Sequence, residues 1–263
     1  MGRRHRRGLP VLTVNRLVPN ALTLLGLCSG LTAVRLALLD RWELAIAAIV
    51  FAMVMDALDG QIARLMGATS EFGAQLDSLS DAISFGVAPA LIVYLWALGD
   101  AGRIGWALAL VFAVSCALRL ARFNTKIGVS KTFPWSDRFF TGVPAPAGAG
   151  LVLLPMVLSF ELGEGFLSST WFNGFVLAGV AGLMVSTIPT FSAKRFKIPR
   201  SYVGFALIGV GALAAFLIGT PWVTLGVLGL GYFASIPIAV YAFRRMQIRY
   251  EAQTGIKDGA TDI

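Results

Sequence analysis

The chain is predicted to be all-α, a polytopic membrane helix bundle, and three observations lead there. Hydrophobic residues make up 57% of the 263 and charged residues only 14%, with a mean hydropathy of +0.76, an excess that no soluble core requires. Apolar runs of about 20 residues, the length that crosses a bilayer as a helix, recur along the whole chain. None of them shows the alternation over roughly ten residues that a membrane barrel strand carries.

Eight spans are predicted, roughly at 18–39, 43–66, 74–98, 104–124, 143–160, 171–191, 201–219 and 222–243. The basic tail ahead of them, residues 1–17, resembles the n-region of a signal peptide. The first span lacks a small-residue cleavage site and leads into further spans, so the tail is expected to be retained. A short turn at 67–73 joins spans two and three, and span four ends on the run Ala117 to Asn124. The polar loop 125–141 that follows is expected on the membrane surface. Pro144 and Pro146 open span five, where a missing amide donor costs least. Spans seven and eight have no charged residue in their interiors and read as an accessory pair within 192–243, followed by a C-terminal tail, 244–263. Cys28 and Cys116 lie in apolar spans with no disulfide or metal-ligand spacing, and both are expected in the core. His5, the one histidine, sits in the arginine-rich tail, which excludes histidine-based catalysis.

The formal charge of +8 reflects topology rather than nucleic-acid binding. Of the 22 basic residues, Arg35, Arg64 and Arg119 fall inside spans and only Arg41 and Arg103 in odd-numbered connections. The rest lie in the two tails and the basic loops 122–138 and 194–200, so the positive-inside rule puts both termini in the cytoplasm. The turn at 67–73 then faces the cytoplasm as well.

One stretch does not fit an apolar bundle. Asp56 and Asp59 stand three apart, Asp77 and Asp81 four apart, and Arg64 lies between the pairs. In helices each aspartate pair shares a face, and the short turn makes the two helices antiparallel, so the four carboxylates converge. A charge near the bilayer centre costs roughly 2.5–3.5 kcal/mol, hence about 10 kcal/mol for four isolated carboxylates. One arginine cannot neutralise four aspartates. Hard oxygen donors suit Mg²⁺ or Mn²⁺, and a pair of such ions suits in-line displacement at phosphorus. Gly60 and Gly73 remove side chains beside the carboxylates, and Arg64 is suited to a diphosphate oxygen. A cation pathway through the membrane is the rival of another class. It would spread charge along several spans, whereas here the charge is gathered at one end of two.

The pattern Asp-x2-Asp-Gly-x2-Ala-Arg-x8-Gly-x3-Asp-x3-Asp resembles the signature of the CDP-alcohol phosphatidyltransferase family, and Asp56, Asp59, Gly60, Ala63, Arg64, Gly73, Asp77 and Asp81 fill every position. The resemblance implies a six-helix catalytic core over 18–191, a homodimer, and two divalent ions. It implies that Asp56, Asp59, Asp77 and Asp81 are metal ligands and that Asp81 is also the general base. Asn20, Thr23, Gly60, Arg64, Ser70 and Gly73 would bind CDP-diacylglycerol. Read without the family, Asn20 and Thr23 after Pro19 fit a helix N-terminal motif, and Ser70 a helix cap.

Members of the family differ in the acceptor alcohol. The run Ala117-Leu118-Arg119-Leu120-Ala121-Arg122-Phe123-Asn124 is similar to a segment of the integral-membrane branch that uses L-serine. The stretches Ser84 to Pro89, Phe140 to Pro146 and Ser192 to Pro199 agree with it. Arg119 and Arg122 share a face, and an arginine inside an apolar span calls for an anion, which the serine carboxylate supplies and choline does not. Arg122 can also serve as an interfacial anchor and Asn124 as a cap. Arg119, Arg122 and Asn124 are therefore the candidate acceptor residues. Glycerol 3-phosphate, an inositol phosphate and choline remain the alternative acceptors.

Overall fold

A computed structural model describes residues 14–68, 70–125, 139–191 and 202–254. The residues of the N-terminal tail before 14, the basic loops at 126–138 and 192–201, and the last nine residues lie outside it. The protein is an all-α membrane protein. Among the described residues six helices are long and apolar enough to cross a membrane: Leu17–Ala37, Trp42–Leu65, Glu71–Ala101, Arg103–Thr125, Ala145–Leu162 and Pro221–Arg249. The apolar helices Thr170–Val185 and Leu207–Gly219 are shorter. All eight predicted spans thus fall on helices. The chain divides into two compact units, the first ending at Ala88 and the second beginning at Pro89.

The first unit is built from α1 (Val14–Ala37), α2 (Trp42–Leu65) and α3 (Glu71–Asp81). α1 and α2 form a hairpin whose seam is lined by Ala33, Ala37, Ala45, Ile49 and Ala52, all essentially without exposure. Small residues let membrane helices approach closely, where packing replaces the absent hydrophobic drive. The Ser29 hydroxyl ties the seam by donating to the Ala48 carbonyl at 2.7 Å. α3 begins on Ser70, whose Oγ accepts from the Gly73 amide at 3.0 Å, as an N-cap should. After Asp81 the helix continues as a π turn, Ala82–Val87. α1 meets this turn at Gly30, where an added Cβ would stand 2.5 Å from Ser84 Oγ and 2.8 Å from the Ser84 Cα. Backbone cannot step aside as a side-chain tip can. Gly30→Ala is therefore expected to lower stability by about 1–3 kcal/mol, measured as a fall in melting temperature in detergent.

The second unit takes up the third span from Pro89, the second residue of α4 (Ala88–Val93), with the turns to Ala101, then α5 (Arg103–Thr125), α6 (Ala145–Leu162), α7 (Thr170–Val185), α8 (Val203–Gly219) and α9 (Pro221–Thr254). Its core is Phe112, Met156, Leu177, Met184, Ile92 and Leu98. Pro144 and Pro146 open α6 as predicted. Exposed apolar side chains such as Leu110, Phe175, Phe205 and Phe216 supply the surface that lipid requires.

Three features depart from the sequence reading. A three-residue antiparallel ribbon joins β1 (Phe139–Thr141) to β2 (Pro189–Phe191), pairing Phe140 with Thr190. α9 does not stop near 243 but continues to Thr254, so the tail predicted from 244 begins as helix and carries Arg244, Arg245 and Arg249. Cys116 is fully buried, but Cys28 is exposed on α1 and is no core residue.

Candidate active site

Helical spacing brings the aspartates of the first unit to one place. Asp56 and Asp59 share a face of α2, and Asp77 and Asp81 a face of α3. One carboxylate oxygen from each of Asp56, Asp59 and Asp77 lies within 4.8 Å of the other two. Asp81 lines the same pocket, together with Thr23, Ser80 and Ser84, but stands outside that group of three. At an effective dielectric of about 20, two unit charges 4.8 Å apart repel by roughly 3.5 kcal/mol. Three ionised carboxylates so placed form a donor set of hard oxygens of the kind that holds a divalent metal ion.

The neighbouring helix fixes the set. Asp59 is 4% exposed, and the Thr23 hydroxyl of α1 lies 2.5 Å from its Oδ2. The same hydroxyl is 3.1 Å from the Pro19 carbonyl. One proton serves one acceptor at a time, so Thr23 can orient Asp59 or fall back on its own helix. Behind the carboxylates, Ser80 and Ser84 donate to the carbonyls of Thr23 and Gly26 at 3.2 and 3.4 Å. These two serines hold α3 and the π turn against α1. Their positioning role was not read from the sequence, since a serine in a span carries no signal of its target.

The other predicted residues form two smaller groups. A Cβ on Gly73 would stand 3.1 Å from both Asn20 Oδ1 and Ser70 Oγ, so Asn20, Ser70 and Gly73 meet at the start of α3. Ser70 spends its oxygen there as the helix cap. Pro19 lies inside α1, so Asn20 and Thr23 do not form a helix N-terminal motif. Arg64 is exposed near the end of α2, its Nη1 3.8 Å from where a Cβ on Gly60 would sit. The candidate acceptor residues Arg119, Arg122 and Asn124 stand on α5 in the second unit. Arg122 Nη1 donates to the Val185 carbonyl at 3.3 Å, clasping the end of α7 where unsatisfied carbonyls are exposed.

A family model described as CDP-alcohol phosphatidyltransferase matches residues 16–184. The chain belongs to that family. A second model, CDP-alcohol phosphatidyltransferase 2, matches residues 201–237, over α8 and the first half of α9. The chain is 37% identical over 241 residues to the CDP-diacylglycerol–serine O-phosphatidyltransferase of Mycobacterium bovis, covering 92% of this chain and 82% of that one. It is 39% identical over 183 residues to the enzyme of the same name from Helicobacter pylori, covering 69% and 74%. An archaetidylserine synthase of Methanothermobacter thermautotrophicus is 35% identical over 173 residues, covering 65% and 68%.

Proposed function

We propose that this phosphatidyltransferase moves the phosphatidyl group of CDP-diacylglycerol to L-serine, giving phosphatidylserine and CMP. The observation that carries the chemistry is the group of three carboxylates on α2 and α3, within 4.8 Å of one another inside a family signature. The names of the relatives carry the acceptor. Divalent ions held by Asp56, Asp59 and Asp77, with Asp81 of the same pocket as the fourth ligand, would supply charge neutralisation of the diphosphate. Asn20, Thr23, Gly60, Arg64, Ser70 and Gly73 bind the CDP-lipid, with Arg64 taking a phosphate oxygen and Gly73 leaving room beside Asn20. Asp81 takes the proton of the serine hydroxyl as that oxygen bonds to the phosphorus next to the diacylglycerol. The bond from that phosphorus to the CMP oxygen breaks, and CMP leaves.

Arg119 receives the serine carboxylate, with Asn124 nearby in sequence as a second donor. The clasp on Val185 makes Arg122 a structural residue first. The catalytic core spans 18–191, the active site and both termini face the cytoplasm, and the protein works as a homodimer. The purified protein with CDP-diacylglycerol and Mg²⁺ or Mn²⁺ should release CMP with L-serine, and not with glycerol 3-phosphate, inositol phosphate or choline. CMP release with one of those and none with serine removes the serine reading. Arg119→Lys, which keeps the charge and loses the fork, is expected to raise the serine KM about tenfold while leaving the CDP-lipid KM in place. An unchanged serine KM would show that Arg119 does not hold the carboxylate.

A further inference from the structure

α9 is longer than a membrane requires, and the excess has a face of its own. Its 34 residues, Pro221–Thr254, measure about 51 Å at 1.5 Å per residue, against roughly 30 Å of hydrocarbon. The apolar stretch from Pro221 to Val240 suffices to cross, which leaves the turns from Tyr241 onward at the headgroup level and beyond. At about 100° per residue, Tyr241, Arg244, Arg245, Ile248 and Arg249 fall within an arc of about 140°. All five are exposed, Tyr241 at 68% and Ile248 at 66%. Phe243, Met246 and Gln247, on the opposite side, are half-buried. Phe243 packs edge to face against Phe139 of β1, with ring centroids 5.3 Å apart. Both rings belong to the second unit, so this contact turns the five exposed residues away from the ribbon.

Three guanidiniums on one arc call for anions, and the helix supplies none. No acidic residue stands three or four positions from any of the three arginines, and α9 has none ahead of Glu251. A face that met only water would gain nothing from Tyr241 and Ile248 set among the arginines. A face lying in the headgroup layer covers both while the guanidiniums reach phosphates. We propose that this face of α9 binds anionic phospholipid of the leaflet it lies in. Arg244, Arg245 and Arg249 take phosphate oxygens of the headgroups, and Tyr241 and Ile248 dip to the boundary of the acyl chains. The occupant is lipid rather than a free phosphate, because a soluble anion leaves the two apolar side chains uncovered. The inference does not depend on which alcohol the enzyme accepts.

The test titrates the full-length protein in a neutral detergent with short-chain phosphatidylglycerol, short-chain phosphatidylcholine and inorganic phosphate, counting bound molecules by native mass spectrometry. The wild type is expected to bind phosphatidylglycerol at least about tenfold more tightly than phosphatidylcholine, and to lose that preference in about 1 M salt, where charges are screened within roughly 3 Å. The triple variant Arg244→Gln, Arg245→Gln, Arg249→Gln should bind phosphatidylglycerol about 100-fold more weakly, near fivefold for each charge removed. Lysine at the same three positions keeps the charge and should restore binding to within about fivefold. Equal binding of the two lipids by the wild type overturns the proposal, as does a glutamine variant that binds phosphatidylglycerol like the wild type. Inorganic phosphate bound as tightly as the lipid assigns the arginines to a soluble anion and overturns it as well. A glutamine variant whose lipid binding is intact but whose dimer is lost assigns the face to a second copy of the chain, with the same consequence. Should the triple variant fail to fold, Arg249→Gln alone and the salt titration of the wild type decide. A single variant with wild-type affinity, or a preference indifferent to salt, then rules the lipid face out.

Discussion

Asp59→Ala is expected to lower kcat/KM by on the order of 10³-fold or more, and to do so without lowering the melting temperature in chelator. The two halves of that expectation come from one geometry. Asp59 is the most buried of the aspartates at 4% exposure, and Thr23 holds its Oδ2 at 2.5 Å. Removing it forfeits that hydrogen bond, worth about 1.5–3 kcal/mol for a charged acceptor. It also removes two of the three repulsions within the group, each roughly 3.5 kcal/mol for unit charges 4.8 Å apart. Even halved by screening, the relief matches the loss. In the wild type, Mn²⁺ or Mg²⁺ at 100 times its dissociation constant should stabilise by about 2.7 kcal/mol, and the variant should show little of this. Melting curves with and without metal, beside CMP release, measure both. If the wild type is indifferent to divalent ions and the variant melts lower in chelator, the aspartates are structural and the metal reading fails.

The sequence made this site legible because its determinants are local. Spacings of three and four residues put Asp56 with Asp59 and Asp77 with Asp81, and a turn too short to do anything else brought α2 and α3 together. Ser70 as a cap and the prolines opening α6 are local in the same sense. What stayed illegible depends on partners far away in the chain. Thr190 and Gly142 are 48 residues apart and meet only through a ribbon whose strands are three residues long. Gly30 looks like any glycine in a span until Ser84 is seen against it. The π turn after Asp81 has no period of its own in an apolar run. α9 packs against α6 and β2, and an added Cβ on Gly229 would stand 2.7 Å from Leu154 Cδ1.

Asp81→Asn separates proton transfer from metal binding, and is expected to reduce kcat by about 10²–10⁴-fold with the CDP-lipid KM changed only a few-fold. The substitution keeps size and hydrogen-bonding shape while abolishing the capacity to take a proton. Asp81 differs from its neighbours in the way that matters: it lines the pocket but stands outside the three carboxylates grouped within 4.8 Å. It is also the last residue of α3, where the π turn begins, and π turns often mark functional positions because they redirect the side chains that follow. If Asp81 were chiefly a ligand, Asn would weaken the metal-induced rise in melting temperature as Asp59→Ala does, and CDP-lipid binding would fall with turnover. If it is chiefly the base, the metal response and lipid binding survive while CMP release slows. Equal losses in binding and turnover would end the case for a separate base. Retention of the metal response with turnover lost would assign the three grouped aspartates to the diphosphate and leave Asp81 with the acceptor hydroxyl, because no other role then accounts for the difference.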